Sequence, residues 1–510
     1  MSRASRIARA LALGTGFQAL VMVVGLVLTP VLLARLGGVC YGEWLIVGQA
    51  LALLALLDLG IISLLPREVA TAVGGDASDR GAAEVVRRAT WLVWLQTPVV
   101  AAVTFGSWLA FTSARPDLAG PLGVSLGGFV ALFPLRVFGA ILTGLQDLVF
   151  ATGLNALGWA ITTVLSVVLA FSDWGLYALV VATLAGQLVG AAVAYVRLRV
   201  RFPEVRAWSG RPDRRDLWAL LKPSLWASVY RLASLLGSGS DLMVVGWFSG
   251  AEAVVVYSCT TKLPAVILQP LTTIMLTSFP ALAELRTKDR AGFWRAARAV
   301  GLFLVIAGGL AGVGVAALNA AFVTSWVGAD RFGGQALSLM AAAVLTVRLA
   351  VLSVSGPAYT LGWERRLAGA SIAEGVVMLA TGVAGTALFG PVGVMFGVLA
   401  GQLLVLGPLS VMILAREAGV RYWVVLGWFA GWGARFAVSF AAVAVAAVAL
   451  PVTDRLVAAG VGTAGLGLYA VLTAPMLFRD PLRTYQPAAL TALIRRLRRS
   501  RPQPHTLPPS

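Results

Sequence analysis

Six polar residues recur at helical intervals late in the first half of the chain: Ser224, Ser228, Arg231, Ser234, Ser238 and Asp241. Gaps of four, three, three, four and three residues put all six on one helix face, with Leu, Val, Ala and Trp on the other. Small hydroxyl residues can serve helix packing alone in a membrane. Packing does not need an arginine at its centre, so the stripe reads as the polar wall of a wet chamber. Arg231 and Arg348 sit close to the middle of apolar segments, where a side chain cannot easily reach either interface. Arg136 lies slightly to one side of centre. Lys262 and Arg435 are read as near enough to an end to snorkel.

With Asp58, Asp241 and Glu374, eight ionisable groups fall inside apolar segments. At roughly 2.5–3.5 kcal/mol each, exposing all of them to lipid would cost on the order of 20–28 kcal/mol. They must therefore face water or protein. Five cations against three acids leave positive charge in surplus even if every acid pairs. An unpaired buried cation is costly, and an anion would relieve it. The arginine fork also suits phosphate oxygens. The expectation is a site for an anionic head group on Arg231, Arg348 and Arg136, with Ser228, Ser234 and Ser238 beside them. Asp58, Asp241 and Glu374 are candidates for ion coupling. The competing reading of each charge is an ion pair that ties two helices together. Weaker polar stripes run through Asn155, Trp159, Thr162 and Ser166, and through Ser371, Glu374 and Thr381.

The elements that carry these residues are apolar blocks. The chain has 510 residues, 59% hydrophobic and 12% charged, whereas soluble domains are about a quarter charged. Blocks of about 20 residues match the thickness of a bilayer. They fall at 11–33, 44–65, 89–112, 122–145, 150–171, 175–196, 220–247, 253–279, 299–321, 335–360, 367–389, 391–414, 425–450 and 456–478. The expected fold is an all-α polytopic membrane protein of about 14 transmembrane helices. It is divided into two six-helix lobes (1–197 and 220–415), a basic linker (198–222), two additional helices (416–480) and a basic, Pro-rich tail (481–510). Both lobes would share one orientation, the parallel type of transporter repeat. A short echo supports the repeat: Leu36-Gly37-Gly38 with Tyr41 after the first helix, and Ser249-Gly250-Ala251 with Tyr257 after the seventh.

The net charge of +18 has a topological explanation. With the N-terminus inside, the inward loops hold 31 of the 40 Lys and Arg residues, and the outward loops hold only Arg35, Arg115, Arg331 and Arg455. That asymmetry places both termini in the cytoplasm of an inner-membrane protein and removes the case for nucleic-acid binding. Membrane lipids are the expected contact of the basic tail. Two cysteines, Cys40 and Cys259, and the single His505 exclude a disulfide framework, a His-based metal site and a Ser-His-Asp arrangement. No cofactor is expected. The first apolar run is read as an uncleaved helix, being too long for a signal peptide and lacking a small-residue cleavage site. The outward loops are short, which speaks against a membrane polysaccharide polymerase.

Several segments resemble one transporter superfamily. These are Leu33-Ala34-Arg35-Leu36-Gly37 with Tyr41-Gly42-Glu43-Trp44, then Leu57-Asp58-Leu59-Gly60-Ile61, and Arg67-Glu68-Val69-Ala70. Their second-half counterparts are Asp241-Leu242-Met243-Val244-Val245-Gly246 with Tyr257, and Ser278-Phe279-Pro280-Ala281-Leu282. From about residue 5 to 480 the chain resembles the multidrug/oligosaccharidyl-lipid/polysaccharide (MOP) exporters, and among them the polysaccharide flippases. The resemblance implies two lobes around a cavity, alternating access, and export of undecaprenyl-diphosphate-linked oligosaccharide for O-antigen or exopolysaccharide. It assigns the diphosphate to cavity cations, here Arg231, Arg348 and Arg136, and it makes a polymerase or ligase a candidate partner. The two additional helices also resemble the peptidoglycan-precursor flippase and keep a lipid II-type cargo open. A cation antiporter of the same superfamily is the other alternative, disfavoured by the excess of cations.

Overall fold

Apolar blocks of this length fold as helices because a backbone in hydrocarbon must bond to itself. The computed structural model describes residues 3–74, 78–206 and 240–485, with isolated positions between 212 and 225. Among the described residues every regular element is helical, and twelve helices are long and apolar enough to cross a membrane. The longest need internal breaks. Helix α1 (Arg3–Leu54) is two helices separated at Gly37, whose φ of 78° and ψ of 163° are not helical. Helix α8 (Asp241–Lys288) is divided the same way at Gly250, φ 81° and ψ 174°. These are the two glycines of the sequence echo, and they share one backbone conformation that a side chain would strain. Counting both halves of α1 raises the crossings to thirteen, in line with the expected fourteen or so. Most of the expected seventh span lies outside the described residues, and with it Ser228, Arg231, Ser234 and Ser238.

The second crossing is not one continuous helix. It passes at Ala55–Asp58 into a 3-10 turn, then through left-handed Leu59 and Gly60 into α2 (Ile61–Gly74). The Asp58 carboxylate accepts the Gly60 N–H at 2.8 Å and so satisfies a backbone donor that the break exposes.

The chain divides into two compact units. The first comprises Met1–Thr261, Val323–Leu337 and Ala368–Gly401. It holds α3 (Ser78–Ala114), α4 (Ala119–Leu132), α5 (Arg136–Gly144), α6 (Leu148–Ala170) and α7 (Leu176–Arg201). Its core gathers Ile61, Leu65, Val69, Val137, Ile141 and Leu142. Helices α6 and α7 cross closely at two glycines: a methyl on Gly186 would come within 2.5 Å of the Gly158 carbonyl oxygen. Such crossings are how membrane helices gain packing energy without a hydrophobic drive.

The second unit comprises Lys262–Phe322, Ser338–Leu367 and Gln402–Ser510. It contains most of α9 (Arg290–Val327) and α10 (Gly334–Thr360), then α13 (Gly407–Ala418), α14 (Tyr422–Ala449) and α15 (Arg455–Leu477). Between these come α11 (Glu364–Phe389) and α12 (Val392–Gly401), which lie mainly in the first unit. The two C-terminal helices are tied to α9 by a chain of buried hydrogen bonds. Trp432 Nε1 donates to the Tyr469 hydroxyl, which donates to the Ile306 carbonyl, both at 2.9 Å. Tyr469→Phe would leave the indole N–H and that carbonyl without these partners. It is expected to cost about 2 kcal/mol, read as a lower melting midpoint in detergent. An unchanged midpoint would show that the network does not hold α14 and α15 in place.

Candidate functional site

A cavity of about 640 Å³ opens in the first unit between the second half of α1 and helices α4, α5, α6 and α7. Arg136 is the charged side chain in its described lining. The residue begins α5, just after a 3-10 turn around Pro134 that ends α4. Its Nη2 lies 3.6 Å from Asp58 Oδ2, and its Nη1 donates to the Ala55 carbonyl at 3.3 Å. The broken second crossing explains both contacts. A helix that stops in the membrane leaves carbonyls without partners, and a guanidinium can serve one of them while pairing with a carboxylate at the same break. The pair is lopsided: Asp58 is 1% exposed and Arg136 30%. The chamber therefore sees the cation, with the anion behind it.

The rest of the wall is polar at a few points and aromatic at three, Phe129 of α4 among them. Asn155, Trp159 and Thr162 line it from α6, Thr183 and Gln187 from α7, and Trp44 from α1. Three members of the stripe read from the sequence are thus in the wall. Ser166, one turn further along, is buried outside the described lining. Thr183, Gln187 and Trp44 were not singled out. The signal for the first two is a polar pair one helical turn apart in an otherwise apolar segment, and an interfacial anchor is the usual reading of a tryptophan like Trp44.

The other expected site residues are dispersed. Asp241 accepts hydrogen bonds from the Tyr257 hydroxyl at 2.9 Å and the Leu242 N–H at 3.0 Å, at the start of α8. Glu374 is buried in α11 against Gly401 of α12. Arg348 is half-buried in α10, in the second unit. The structure brings Arg136 and Asp58 together, and it puts Arg348 in a different compact unit from them.

The chamber in the first unit offers one cation, hydrogen-bonding side chains and aromatic faces, and solved proteins share the fold that holds it. An inward-facing multidrug resistance MATE family transporter of the MOP superfamily superposes with a TM-score of 0.59 at 16% identity, covering 80% of this chain and 94% of that one. The lipid II flippase MurJ, in an inward closed conformation, does so with a TM-score of 0.60 at 13% identity, covering 92% and 100%. The fold is that of the MOP exporters. A MOP superfamily transporter from Pyrococcus furiosus, described as having a binding pocket of reverse polarity, is also similar (TM-score 0.55, 18% identity, 81% and 96% covered). The polysaccharide biosynthesis protein family matches residues 146–329, from just before α6 to the end of α9. No curated protein matches the sequence. The resemblance read from the sequence is borne out in the shared fold and, over residues 146–329, in the match to the polysaccharide biosynthesis family, and the twelve apolar helices support a multi-pass membrane protein.

Proposed function

We propose that this MOP-type protein moves an undecaprenyl-diphosphate-linked oligosaccharide across the inner membrane by alternating access, for assembly of O-antigen or exopolysaccharide. The observation that carries the reading is the orientation of the Arg136–Asp58 pair, cation toward the cavity and carboxylate buried. A diphosphate meets the guanidinium through charge-assisted hydrogen bonds. Sugar hydroxyls meet Asn155, Thr162, Thr183 and Gln187, and the indoles of Trp44 and Trp159 cover the C–H faces of pyranose rings. A cavity built for a cationic drug would turn the acid inward instead.

In this reading the basic loops and both termini lie in the cytoplasm. The two six-helix lobes are the moving bodies, with the two C-terminal helices as an addition. Arg231, Arg348, Ser228, Ser234 and Ser238 complete the head-group path, and Asp241 and Glu374 are candidates for ion coupling. A polymerase or ligase would consume the flipped product. A lipid II-type head shares the diphosphate chemistry, and the flippase with the TM-score of 0.60 keeps it as the second reading.

The test is a bleaching assay in liposomes holding a fluorescent undecaprenyl-diphosphate oligosaccharide. Full-length protein is expected to expose inner-leaflet label to an impermeant reductant, and Asn155→Ala combined with Trp159→Ala is expected to slow this about tenfold, the equivalent of one good hydrogen bond. Running the labelled peptidoglycan precursor in parallel separates the two cargoes. Failure to move either lipid, with a cationic dye transported instead, would replace the flippase reading with an antiporter.

A further inference from the structure

Arg435 stands at the midpoint of α14, which runs from Tyr422 to Ala449. At 1.5 Å per residue its Cα is about 20 Å from either helix end, and the side chain reaches back toward the helix start. Its guanidinium donates to the carbonyl of Gly431 on its own helix, and no carboxylate among the described residues pairs with it. A cation set within an apolar helix without an anion is costly.

A second cation lies on the same seam. Arg298 of α9 is exposed and sits over the Trp428 ring at 5.6 Å from its centroid. Trp428 in turn packs edge-on against Trp294 of α9. Trp428 and Arg435 are seven residues apart and share a face of α14, so Arg298, Trp428 and Arg435 form a track that descends roughly 10 Å along the α9–α14 seam. Arg298 likewise has no carboxylate partner among the described residues.

The helix surface beside this track is open. A Cβ on Gly427 would meet nothing within 4 Å, and one on Gly431 would meet only the Arg435 guanidinium. Around the gap the exposed side chains are apolar, Val424, Leu426 and Val438 among them. An occupant must therefore bring negative charge for the arginines and hydrocarbon for their surroundings.

The geometry points to a lipid-phosphate site on the α9–α14 seam, with Arg298 and Arg435 as its two ligands and the gap at Gly427 and Gly431 as the place where the head group enters. It is separate from the cavity around Arg136 and stands whether or not that cavity carries a diphosphate-linked sugar. The phosphate can come from a bulk phospholipid or from a polyprenyl diphosphate, since both present the same oxygens on an apolar tail.

Native mass spectrometry of the full chain tests this with three lipids: phosphatidylglycerol, undecaprenyl diphosphate and, as the zwitterionic reference, phosphatidylcholine. The parent is expected to prefer at least one of the first two over phosphatidylcholine, and Arg298→Gln with Arg435→Leu to weaken that preference about tenfold. Because the chain is basic overall, Arg365→Gln with Arg366→Gln serves as a charge-matched control that should keep the preference. Arg435→Leu removes a charge from the bilayer interior, so its melting midpoint in detergent should not fall. A preference confined to undecaprenyl diphosphate assigns the seam to that lipid, and one shared with phosphatidylglycerol assigns it to bulk lipid. No preference in the parent, or an equal preference in the Arg298/Arg435 variant, overturns the site.

Discussion

Under the proposed function, a chain carrying Arg136→Ala is expected to lose export almost entirely and to melt well below the parent. Two causes act together. Asp58 is 1% exposed, and stranding a buried carboxylate by removing its cation costs about 3–5 kcal/mol. The Ala55 carbonyl also loses its donor at the helix break. Loss of export in this variant would thus not show that Arg136 touches cargo. The pair Asp58→Asn with Arg136→Gln separates the causes. Both charges disappear together, and the asparagine oxygen can still accept the Gly60 N–H as Asp58 does at 2.8 Å. This double variant is expected to recover most of the melting midpoint and none of the export. Normal export from it would mean that the cationic face of the cavity has no part in handling the head group. Arg136→Lys should fall between: it keeps the charge but cannot fork between Asp58 and the Ala55 carbonyl.

How far these features could be read from residues alone depends on their range. Helices and their number follow from apolar block length, a local property, and the Asn155–Trp159–Thr162 face follows from spacing within one helix. The Gly37 and Gly250 breaks were visible as a repeated Gly-then-Tyr pattern, because only glycine accepts that backbone without strain. The pairing of Arg136 with Asp58 was not visible, because it joins residues far apart in the chain and depends on a helix break that interrupts an unbroken apolar run. The sign of that break is Leu59-Gly60, where two successive residues adopt left-handed backbone.

The contact between the two glycine helix breaks yields the other large effect. Gly42 follows the Gly37 break, Ala251 follows the Gly250 break, and a methyl on Gly42 would collide with the Ala251 carbonyl oxygen. A backbone oxygen cannot rotate aside as a side chain can. Ion pairs hold the same region: Arg115 to Glu43 at 2.5 Å, and Arg331 to Glu252 at 3.3 Å, with the Arg331 guanidinium lying over Gly38. Gly42→Val is therefore expected to force the two helix starts apart, at a cost of about 1–3 kcal/mol for overpacking, and, under the proposed function, to abolish export. The half-buried thiol of Cys40 is two residues away, and Cys259, on α8, is buried. Maleimide should therefore label Cys40 faster in Gly42→Val than in the parent, with Cys259→Ser used in both to isolate the signal. Gly25→Ala, earlier in α1 and with nothing within 4 Å of the added carbon, should leave melting, labelling and export unchanged. Parent-like labelling and melting in Gly42→Val would show that the helix starts have room to spare, and that Gly42 does not set how closely they meet.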